Sequence, residues 1–411
     1  MSEVIRLINN FFYNIPALFK SFFWKRDEQI VLMDSWFGNK FADNPRFLFQ
    51  YLSDNKEKLG LTHVVWVTRN ESVNEELNNL GYESYMINSK ESIYYHKHAK
   101  YHIVNNSPNN NDEFTGELLE GYSFGAIRIN LWHGIAGKGV KFANTAKVSK
   151  YSRNKLFSLY LKLNKLRFWR LLFDQKCGWG DAYYLAQSTE GKRVLETFFR
   201  LPDKNYILTG YPRICNCSSF LTDEQMVIDK INDFSKTVLY LPTFRSNTNF
   251  NFQNLTDEIS DVLDEQDILW IQKAHSADVQ NEFDSKNSST KNVLNLNPNF
   301  DINTLLPYVD VLITDYSSCM IEGIGLHKKL IFYVPDFDEY LSHDRGVSYN
   351  PDIAMCGPKA YNIGELKKLL VSIDSIDVST KQYRTAFELY WSETGEKTLD
   401  EIWYDIKEQT R

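Results

Sequence analysis

The chain contains two short stretches in which a buried-strand pattern ends in residues able to handle a phosphate-bearing substrate. In the first, INLWHGIAGKGVKF (129–142), His133 directly follows an apolar run. An imidazole, with an unperturbed pKa of about 6.5, can accept a proton from an attacking hydroxyl. Gly134 permits close approach of a ligand, and Lys138 and Lys141 add positive charge. We predict a general base beside an anionic ligand; a structural histidine is the alternative.

The second stretch, VLITDYSSCMIEGIG (311–325), places polar residues between a strand pattern and a predicted helix. Asp315, Ser317 and Ser318 occupy this turn. Ser317 or Ser318 should cap the helix, whose free N–H groups and dipole favour an anion. Glu322, one turn later, is expected either to contact ribose hydroxyls or to be an ordinary first-turn acid. We predict phosphate binding here, on the opposite lip of one cleft; a cap without a ligand is the alternative.

Two further strand patterns end in cationic residues. LPTFR (241–245) ends in Arg245, whose guanidinium suits bidentate recognition of phosphate. WIQKAHS (270–276) places Lys273 and His275 at the end of the next strand. A loop histidine whose hydrogen bonds are satisfied within the protein is the alternative. Because carboxyl ends of parallel strands share one edge of a sheet, these side chains predict a diphosphate pocket. A histidine from the other domain would face it, which is the outline of a GT-B transferase.

Composition limits the classes of function. The 411 residues, 43% of them hydrophobic, predict two globular domains. A net charge of −7 argues against nucleic acid as a partner. The five scattered cysteines form no CxxC pair, which fits a reducing cytoplasm, and no metal-ligand cluster is evident. Neither a spanning apolar run nor a signal peptide is expected.

Strand and helix patterns alternate along the chain, as doubly wound α/β domains require. Strands are predicted at 29–33, 62–67, 84–86, 102–104, 128–131, 182–185 and 207–209, then at 237–241, 268–273, 293–296, 311–314 and 329–333. We expect two Rossmann-like domains of GT-B type, an acceptor-side domain at 1–212 and a donor-binding domain at 213–390. A helix at 391–411 should pack back on the first domain.

Two segments have the composition of amphipathic helices at a membrane surface. Residues 121–173 contain no Asp or Glu but many Lys and Arg, and 144–173 predicts a basic helix on anionic lipid. A solvated face or an acidic partner is the alternative. Residues 4–24 repeat apolar side chains near helical spacing. They predict either a helix packed on the first domain or an interfacial helix.

Several of these motifs together resemble the CDP-glycerol glycerophosphotransferase family, whose members build teichoic acids and related polyol-phosphate capsules. The resemblance rests on WHGIAGKGVKF (132–142), LPTFR (241–245), KAHS (273–276) and the long DINTLLPYVDVLITDYSSCMIEGIGLHKKLIFYVPDFDEY (301–340), with FGNKFADNPRFLFQYL (37–52) and GYPR (210–213) as supporting segments. It spans most of the chain, and the DINTLL to DYSS block is the most specific part.

The resemblance implies a peripheral enzyme at the cytoplasmic face of the bacterial membrane. Such an enzyme transfers a polyol phosphate from CDP-glycerol or CDP-ribitol to a lipid-linked saccharide or polyol-phosphate acceptor and releases CMP. It implies that His133 is the catalytic base and that the Arg345-Gly346 pair lies near the donor. The expected donor and phosphate-binding set is Arg245, Lys273, His275, Asp315, Ser317, Ser318, Glu322, Arg345 and Gly346, and the acceptor-side set is Gly134, Lys138 and Lys141.

Three departures from the family pattern leave the polyol open. Ile135 and Ala136 stand where Thr-Pro is frequent, Phe244 replaces a usual Trp, and Glu322 stands where Asp is common. The donor is therefore either CDP-glycerol or CDP-ribitol. Whether the enzyme adds one polyol phosphate to its acceptor or many is also open. A GT-B glycosyltransferase that uses a nucleotide sugar and a membrane-surface scaffold without turnover are the rival functions.

Overall fold

The computed structural model describes residues 3–106, 122–134, 162–216, 219–243, 252–273, 291–297, 299–337 and 350–411. The chain divides into two compact units. The first comprises Met1–His133, Phe142–Ser219 and Thr394–Arg411, and the second Gly134–Lys141 and Phe220–Glu393. Each unit is built on a parallel sheet. The predicted fold class, two doubly wound α/β domains, is confirmed.

The sheet of the first unit has seven strands in the order β3-β2-β1-β4-β5-β6-β7. Its strands are β1 (Asp27–Met33), β2 (His63–Thr68), β3 (Ser84–Met86), β4 (Ala99–Val104), β5 (Ile127–Asn130), β6 (Tyr183–Ala186) and β7 (Tyr206–Leu208). All neighbouring strands run parallel. The strand order reverses direction between β1 and β4, and open sheets of this kind bind ligands beyond the carboxyl ends of the strands at such a point.

The α-helices of the first unit include three that begin after a capping polar side chain. The helices are α1 (Glu3–Ser21), α2 (Asp43–Asp54), α3 (Lys56–Leu59), α4 (Glu71–Asn79), α5 (Lys90–His98), α6 (Arg167–Trp169), which continues as a π turn (Arg170–Asp174), and α7 (Thr189–Phe199). The side chains of Asn70, Ser89 and Ser188 accept hydrogen bonds from the first turns of α4, α5 and α7. These caps satisfy N–H groups that a helix leaves unpaired.

The second unit contains six parallel strands in the order β10-β9-β8-β11-β12-β13. They are β8 (Lys236–Leu241), β9 (Ile268–Gln272), β10 (Val293–Asn295), β11 (Val311–Thr314), β12 (Lys329–Tyr333) and β13 (Lys359–Ala360). The first five were predicted within one or two residues. The last has only two residues and no apolar run, so no pattern indicated it. The order reverses between β8 and β11.

The second unit also carries six helices in its described part. They are α8 (Thr222–Ile231), α9 (Phe252–Glu265), α10 (Cys319–Gly325), α11 (Pro351–Ala354), α12 (Ile363–Val371) and α13 (Lys381–Tyr390). Strand residues such as Val238, Trp270 and Ile313 form the buried core with residues of α9 and α12. Burial on both faces explains why the strands read as continuous apolar runs.

The end of the chain forms two helices separated by a turn. After α13, the chain turns and begins α14 (Leu399–Thr410), which is capped by Thr398 and Glu401. The Thr209 Oγ1 hydroxyl donates to Asp405 at 2.6 Å, and the Trp403 ring packs edge-on against Tyr101 at 5.2 Å. The segment Thr394–Arg411 therefore belongs to the first unit.

Candidate active site

His133 lies just beyond the carboxyl end of β5, in a tight turn. The Asn130 side-chain oxygen accepts a hydrogen bond from the Trp132 N–H at 2.9 Å. Trp132 and Gly134 both have positive φ angles, 56° and 119°. A glycine carries such a conformation without steric cost, whereas a tryptophan does so only where its surroundings impose it. The turn therefore holds the imidazole at the carboxyl edge of the sheet.

One hydrogen bond sets the tautomer of His133. Its Nδ1 lies 3.0 Å from the backbone carbonyl oxygen of Asn105, the residue that follows β4. A carbonyl can only accept, so Nδ1 carries the hydrogen. In the neutral ring, Nε2 then holds a lone pair. The imidazole packs beside the rings of Trp132, at 4.2 Å, and Trp36, at 5.6 Å. A neutral ring with its hydrogen on Nδ1 and a lone pair on Nε2 is the form that a general base needs.

Burial keeps His133 in its neutral form. It lowers the pKa of the imidazole below the ordinary value, and the Arg213 guanidinium also lowers it. The Asn105 carbonyl and the Asp43 carboxylate act in the opposite direction. The net direction is downward because removing the charged ring from water costs more than these partners return. At neutral pH the ring is therefore available to accept a proton.

A buried ion pair supports the His133 turn. Arg213 Nη1 donates to Asp43 Oδ1 at 2.9 Å and to the His133 carbonyl oxygen at 3.1 Å. Asp43 Oδ2 accepts from the Asn105 side chain at 3.2 Å. Both members of the pair are at least nine-tenths buried. The same carboxylate thus connects the arginine that binds the His133 backbone with the residue that orients its ring.

Asn44 ties the same turn to Arg213 through its amide group. The Nδ2 atom donates to the carbonyl oxygens of Leu131, at 3.1 Å, and Trp132, at 2.9 Å. Its Oδ1 accepts from the Arg213 N–H at 3.1 Å. A single side chain therefore fixes two segments that lie far apart in sequence.

Sequence reasoning did not single out these supporting residues. Asp43 and Asn44 lie within FGNKFADNPRFLFQYL (37–52), and Arg213 ends GYPR (210–213). Both segments contributed to the family resemblance, which was the available signal. Asn105 follows a strand at the reversal point of the sheet, so the strand-end rule would have indicated it.

Residues with left-handed backbone conformations gather around this site. Trp36, Phe37, Asp43 and Trp132 have φ angles of 50°, 61°, 65° and 56°. Such conformations cost of order 1–3 kcal/mol each in non-glycine residues and concentrate at functional sites. Gly134 is buried at the end of the turn, and Lys138 and Lys141 lie outside the described residues. The acceptor-side roles of these three remain predictions.

In the second unit, Asp315 joins the two strands at the reversal point. It follows β11, and its carboxylate accepts from the Thr243 N–H at 2.9 Å and from the Thr243 hydroxyl at 2.6 Å. The Tyr316 N–H donates to it at 2.5 Å. Asp315 is 1% exposed, and its carboxylate binds Thr243, the second residue after β8, to the turn that follows β11. The geometry favours a positioning role for Asp315 over direct contact with phosphate.

Ser317 and Ser318 precede α10 with partly exposed side chains. Ser318 stands at the cap position but has helical angles, φ −64° and ψ −15°, and makes no side-chain cap bond. The Ser317 hydroxyl accepts from the Cys319 N–H at 3.5 Å, a long contact. The prediction that Ser317 or Ser318 caps the helix does not hold for Ser318, because a capping residue has an extended backbone and that of Ser318 is helical. Phosphate binding by the two hydroxyls remains a prediction.

Of the other residues predicted to bind the donor, the structure describes two, Lys273 and Glu322. Lys273 Nζ donates to the Phe300 carbonyl oxygen at 2.6 Å. Glu322 is 2% exposed within α10, so a direct contact with ribose would require it to become accessible. Arg245, His275, Arg345 and Gly346 lie outside the described residues. Within the described ranges, no three or more His, Cys, Asp or Glu side chains are grouped as a metal site.

Comparison with known proteins identifies related chains. The family model described as CDP-glycerol:poly(glycerophosphate) glycerophosphotransferase matches residues 17–398. A teichoic acid poly(glycerol phosphate) polymerase of Bacillus spizizenii is 26% identical over 386 residues, which cover 87% of this chain and 85% of that protein. A teichoic acid glycerol-phosphate transferase of Staphylococcus aureus is 22% identical and covers 91% and 92% of the two chains.

Solved structures of the wall teichoic acid polymerase TagF have a similar fold. One superposes with a TM-score of 0.65 at 19% identity and covers 99% of this chain and 97% of that chain. A second, obtained after a soak with CDPG, gives a TM-score of 0.64 at 20% identity, with the same coverage. At this level of identity, the likeness establishes the fold.

Proposed function

Because the chain belongs to the CDP-glycerol:poly(glycerophosphate) glycerophosphotransferase family, we propose that it transfers glycerol phosphate from CDP-glycerol to a hydroxyl acceptor and releases CMP. The acceptor would be a lipid-linked saccharide or a growing polyol-phosphate chain in teichoic acid synthesis. The names of the relatives support this substrate class. The observation that carries the chemistry is His133, whose Nδ1 is bound to the Asn105 carbonyl so that Nε2 can accept a proton.

The proposed reaction is a phosphoryl transfer with one proton to remove. The acceptor oxygen attacks the β-phosphorus of the donor and forms a new P–O bond. The bond from that phosphorus to the oxygen of the α-phosphate breaks, and CMP leaves with the electron pair. His133 Nε2 accepts the proton of the attacking hydroxyl, which makes the oxygen a better nucleophile as the bond forms.

The second unit would hold the charged donor. Arg245, His275, Ser317 and Ser318 are proposed to bind the diphosphate and to stabilise the charge that develops on it. Asp315 supports this proposal indirectly, because its bonds to Thr243 and Tyr316 fix the edge where β8 and β11 end. Ligands bind at this reversal point in open α/β sheets.

A donor panel tests the proposed substrate class. Purified protein is incubated with CDP-glycerol, CDP-ribitol, UDP-sugars or CMP-sugars in the presence of a lipid-linked acceptor, and the released nucleotide is quantified. We expect CMP from CDP-glycerol at the highest kcat/KM. Preference for CDP-ribitol would change the polyol, preference for a nucleotide sugar would change the reaction class, and absence of turnover and of donor binding would favour a scaffold.

The value of kcat/KM should fall at low pH, where His133 becomes protonated, and this fall should occur below the pH range that is ordinary for histidine. Protonation of the ring at low pH removes the base, and burial lowers the pKa at which this happens. We therefore expect the acidic limb of kcat/KM to have its midpoint below about pH 6.5. A profile from pH 5 to 8 measures it, and the residual activity of a His133→Gln variant should lack this limb. A midpoint above that value in the wild type would contradict the assignment.

We also propose that the first unit attaches to the cytoplasmic face of the membrane through α1. This helix directs polar side chains inward: Asn10 Nδ2 donates to the Phe173 carbonyl and Asn14 Nδ2 to that of Leu172, both at 3.0 Å. Two of its aromatic side chains, Phe12 and Phe19, are exposed at 70% and 62%, and Phe22 in the turn after the helix is 72% exposed. Phe11 instead stacks on Phe173. Contiguous exposed apolar side chains of this kind are typical of interfacial helices. No helix in the described ranges is long and apolar enough to span a bilayer.

The basic segment predicted to bind lipid requires one correction. Only 162–173 of it is described. Arg170 is buried and donates to Asp181 Oδ1 at 2.5 Å, and Arg167 Nε donates to Asp181 Oδ2 at 2.8 Å. The prediction that the basic residues of 144–173 lie on anionic lipid is wrong for Arg170, because its side chain is buried and paired with Asp181. Phe168, which is 66% exposed, remains available to an apolar phase.

Vesicle binding tests the role of α1. Phe19 near the end of α1, and Phe22 and Phe23 in the turn that follows it, are 62%, 72% and 89% exposed. The triple variant Phe19→Ser, Phe22→Ser, Phe23→Ser should reduce flotation with phosphatidylglycerol vesicles at least about tenfold, because each aromatic ring contributes apolar area that the membrane buries. Tyr94→Ser and Tyr404→Ser remove exposed rings elsewhere in the same unit and should leave flotation unchanged. Equal flotation of the triple variant and the wild type would exclude this attachment surface.

A further inference from the structure

The first unit contains a cavity at the amino edge of its sheet, opposite the edge that carries His133. The cavity has a volume of about 590 Å³ and is lined by residues at the start of β1, β4 and β5 and by residues of α14. Arg128 lies at the start of β5, whereas His133 follows its end. Volumes of this order accommodate small organic ligands. The cavity is therefore separate from the proposed catalytic site.

Cationic side chains dominate the lining of this cavity. Five of the lining side chains are basic and one, Glu28, is acidic. The basic residues are Lys100, Arg128, Arg167, Lys407 and Arg411. Glu28 lies 3.7 Å from Lys100 and is itself 79% exposed, and Asp181 is shared between Arg167 and Arg170. Arg411 pairs with Glu408, so three of the five basic side chains have an acidic partner. Arg128 and Lys407 form no ion pair with the described residues, and their charge favours an anionic ligand.

Arg128 gives the cavity a buried donor. Its side chain is 95% buried, and Nη1 donates to the carbonyl oxygens of Ser123, at 3.0 Å, and Ala126, at 3.1 Å. Its Nε–H has no hydrogen-bond partner among the described residues. Burial lowers the pKa of Arg128 to about 10, so the guanidinium remains charged at neutral pH. A buried cation with an unpaired donor is costly unless an anion satisfies it.

Aromatic side chains form another part of the lining. Trp403 and Phe124 are both 1% exposed, and the Trp403 ring packs against that of Tyr101. Lys407 Nζ lies 5.8 Å from the centre of the Trp403 ring. Such a wall can cover the uncharged part of a ligand while the basic side chains bind its charge.

We infer that this cavity binds a small phosphate ester, with the phosphate at Arg128, Lys100 and Lys407 and the organic part against Tyr101 and Trp403. Guanidinium and ammonium groups together with an apolar wall recognise this combination of charge and carbon skeleton. The same chemistry is present in a free polyol phosphate and in the headgroup of an anionic glycerophospholipid. Leu18 of α1 also lines the cavity, which places the cavity beside the helix proposed to contact the membrane.

Calorimetric titration of the full chain with glycerol 3-phosphate tests the site. We expect saturable binding that glycerol alone does not reproduce. The double variant Lys100→Gln, Lys407→Gln should weaken it about tenfold or more, since each lost charged contact contributes this order of affinity. Arg128→Met should abolish it, with thermal unfolding as a check on folding. Lys90→Gln, the same change at an exposed position outside the cavity, should bind as the wild type does.

Vesicle binding distinguishes the two sources. If the ligand is a lipid headgroup, the double variant should lose preference for vesicles with phosphatidylglycerol over pure phosphatidylcholine. If it is a free ester, that preference should persist while soluble binding is lost. Both results support the site. The inference is overturned if the wild type binds no glycerol 3-phosphate and shows no vesicle preference, or if the cavity variants match Lys90→Gln in both assays.

Discussion

Replacing His133 with alanine is expected to lower turnover with CDP-glycerol at least about 100-fold, because general base catalysis contributes factors of this size. The structure supplies the reason for so large an effect. The Nδ1 hydrogen is committed to the Asn105 carbonyl, and burial holds the ring neutral. Only Nε2 can take the proton, and alanine offers no substitute for it. Single-turnover transfer with saturating donor measures the loss directly.

Two controls separate catalysis from folding in this experiment. His98→Ala removes a histidine from the same unit, whose Nδ1 bonds to the Lys25 carbonyl, and should retain turnover. Thermal unfolding of His133→Ala shows whether the variant is folded at the assay temperature, because alanine also removes the hydrogen bond to the Asn105 carbonyl. Near-normal turnover in a folded His133→Ala protein would remove this residue from the role of base.

The second large effect is expected from Asp43. Replacing it with alanine leaves the buried Arg213 guanidinium without its carboxylate, which typically costs about 3–5 kcal/mol in the free energy of unfolding. The ion pair is 2.9 Å long, and both side chains are nearly inaccessible to water. Turnover should fall as well, because Asp43 also holds the Asn105 side chain, whose residue orients the His133 ring. Denaturant unfolding and the transfer assay measure the two consequences.

A double-mutant cycle shows whether the cost comes from the pair. Arg213→Met together with Asp43→Ala removes both charges, so its free energy of unfolding should fall less than the sum of the two single variants. Lys58→Gln breaks the exposed contact with Asp400 and should change stability by less than about 1 kcal/mol. Strict additivity of Asp43→Ala and Arg213→Met would show that the pair is not coupled.

The sheets could be predicted from sequence because their strands are buried on both faces. The apolar runs 311–313 and 330–334 are continuous and are followed by polar turns, so pattern alone locates β11 and β12. The same rule placed His133 and Asp315 at strand ends. Local patterns therefore identified the candidate base and the turn at the reversal point of the second sheet.

Contacts between distant segments escaped the same reasoning. Asp43 and Arg213 are separated by 170 positions, and nothing near either residue indicates a buried partner. Arg170 has the local pattern of a lipid-facing cation, yet Asp181 folds back to bind it. In α1 the periodicity of apolar residues was visible, but which face points inward depended on Asn10 and Asn14 meeting backbone carbonyls of another segment. Tertiary structure decided each of these cases.

The most direct test of the proposed function is the mass of the product. Purified wild-type protein is incubated with CDP-glycerol and a defined lipid-linked acceptor, and the lipid product is analysed by mass spectrometry while CMP is quantified. The acceptor should gain a whole number of glycerol phosphate units, with one CMP released for each unit. One unit would indicate a single addition and a ladder would indicate a polymerase. An acceptor of unchanged mass, or a gain that corresponds to a sugar, would contradict glycerol phosphate transfer.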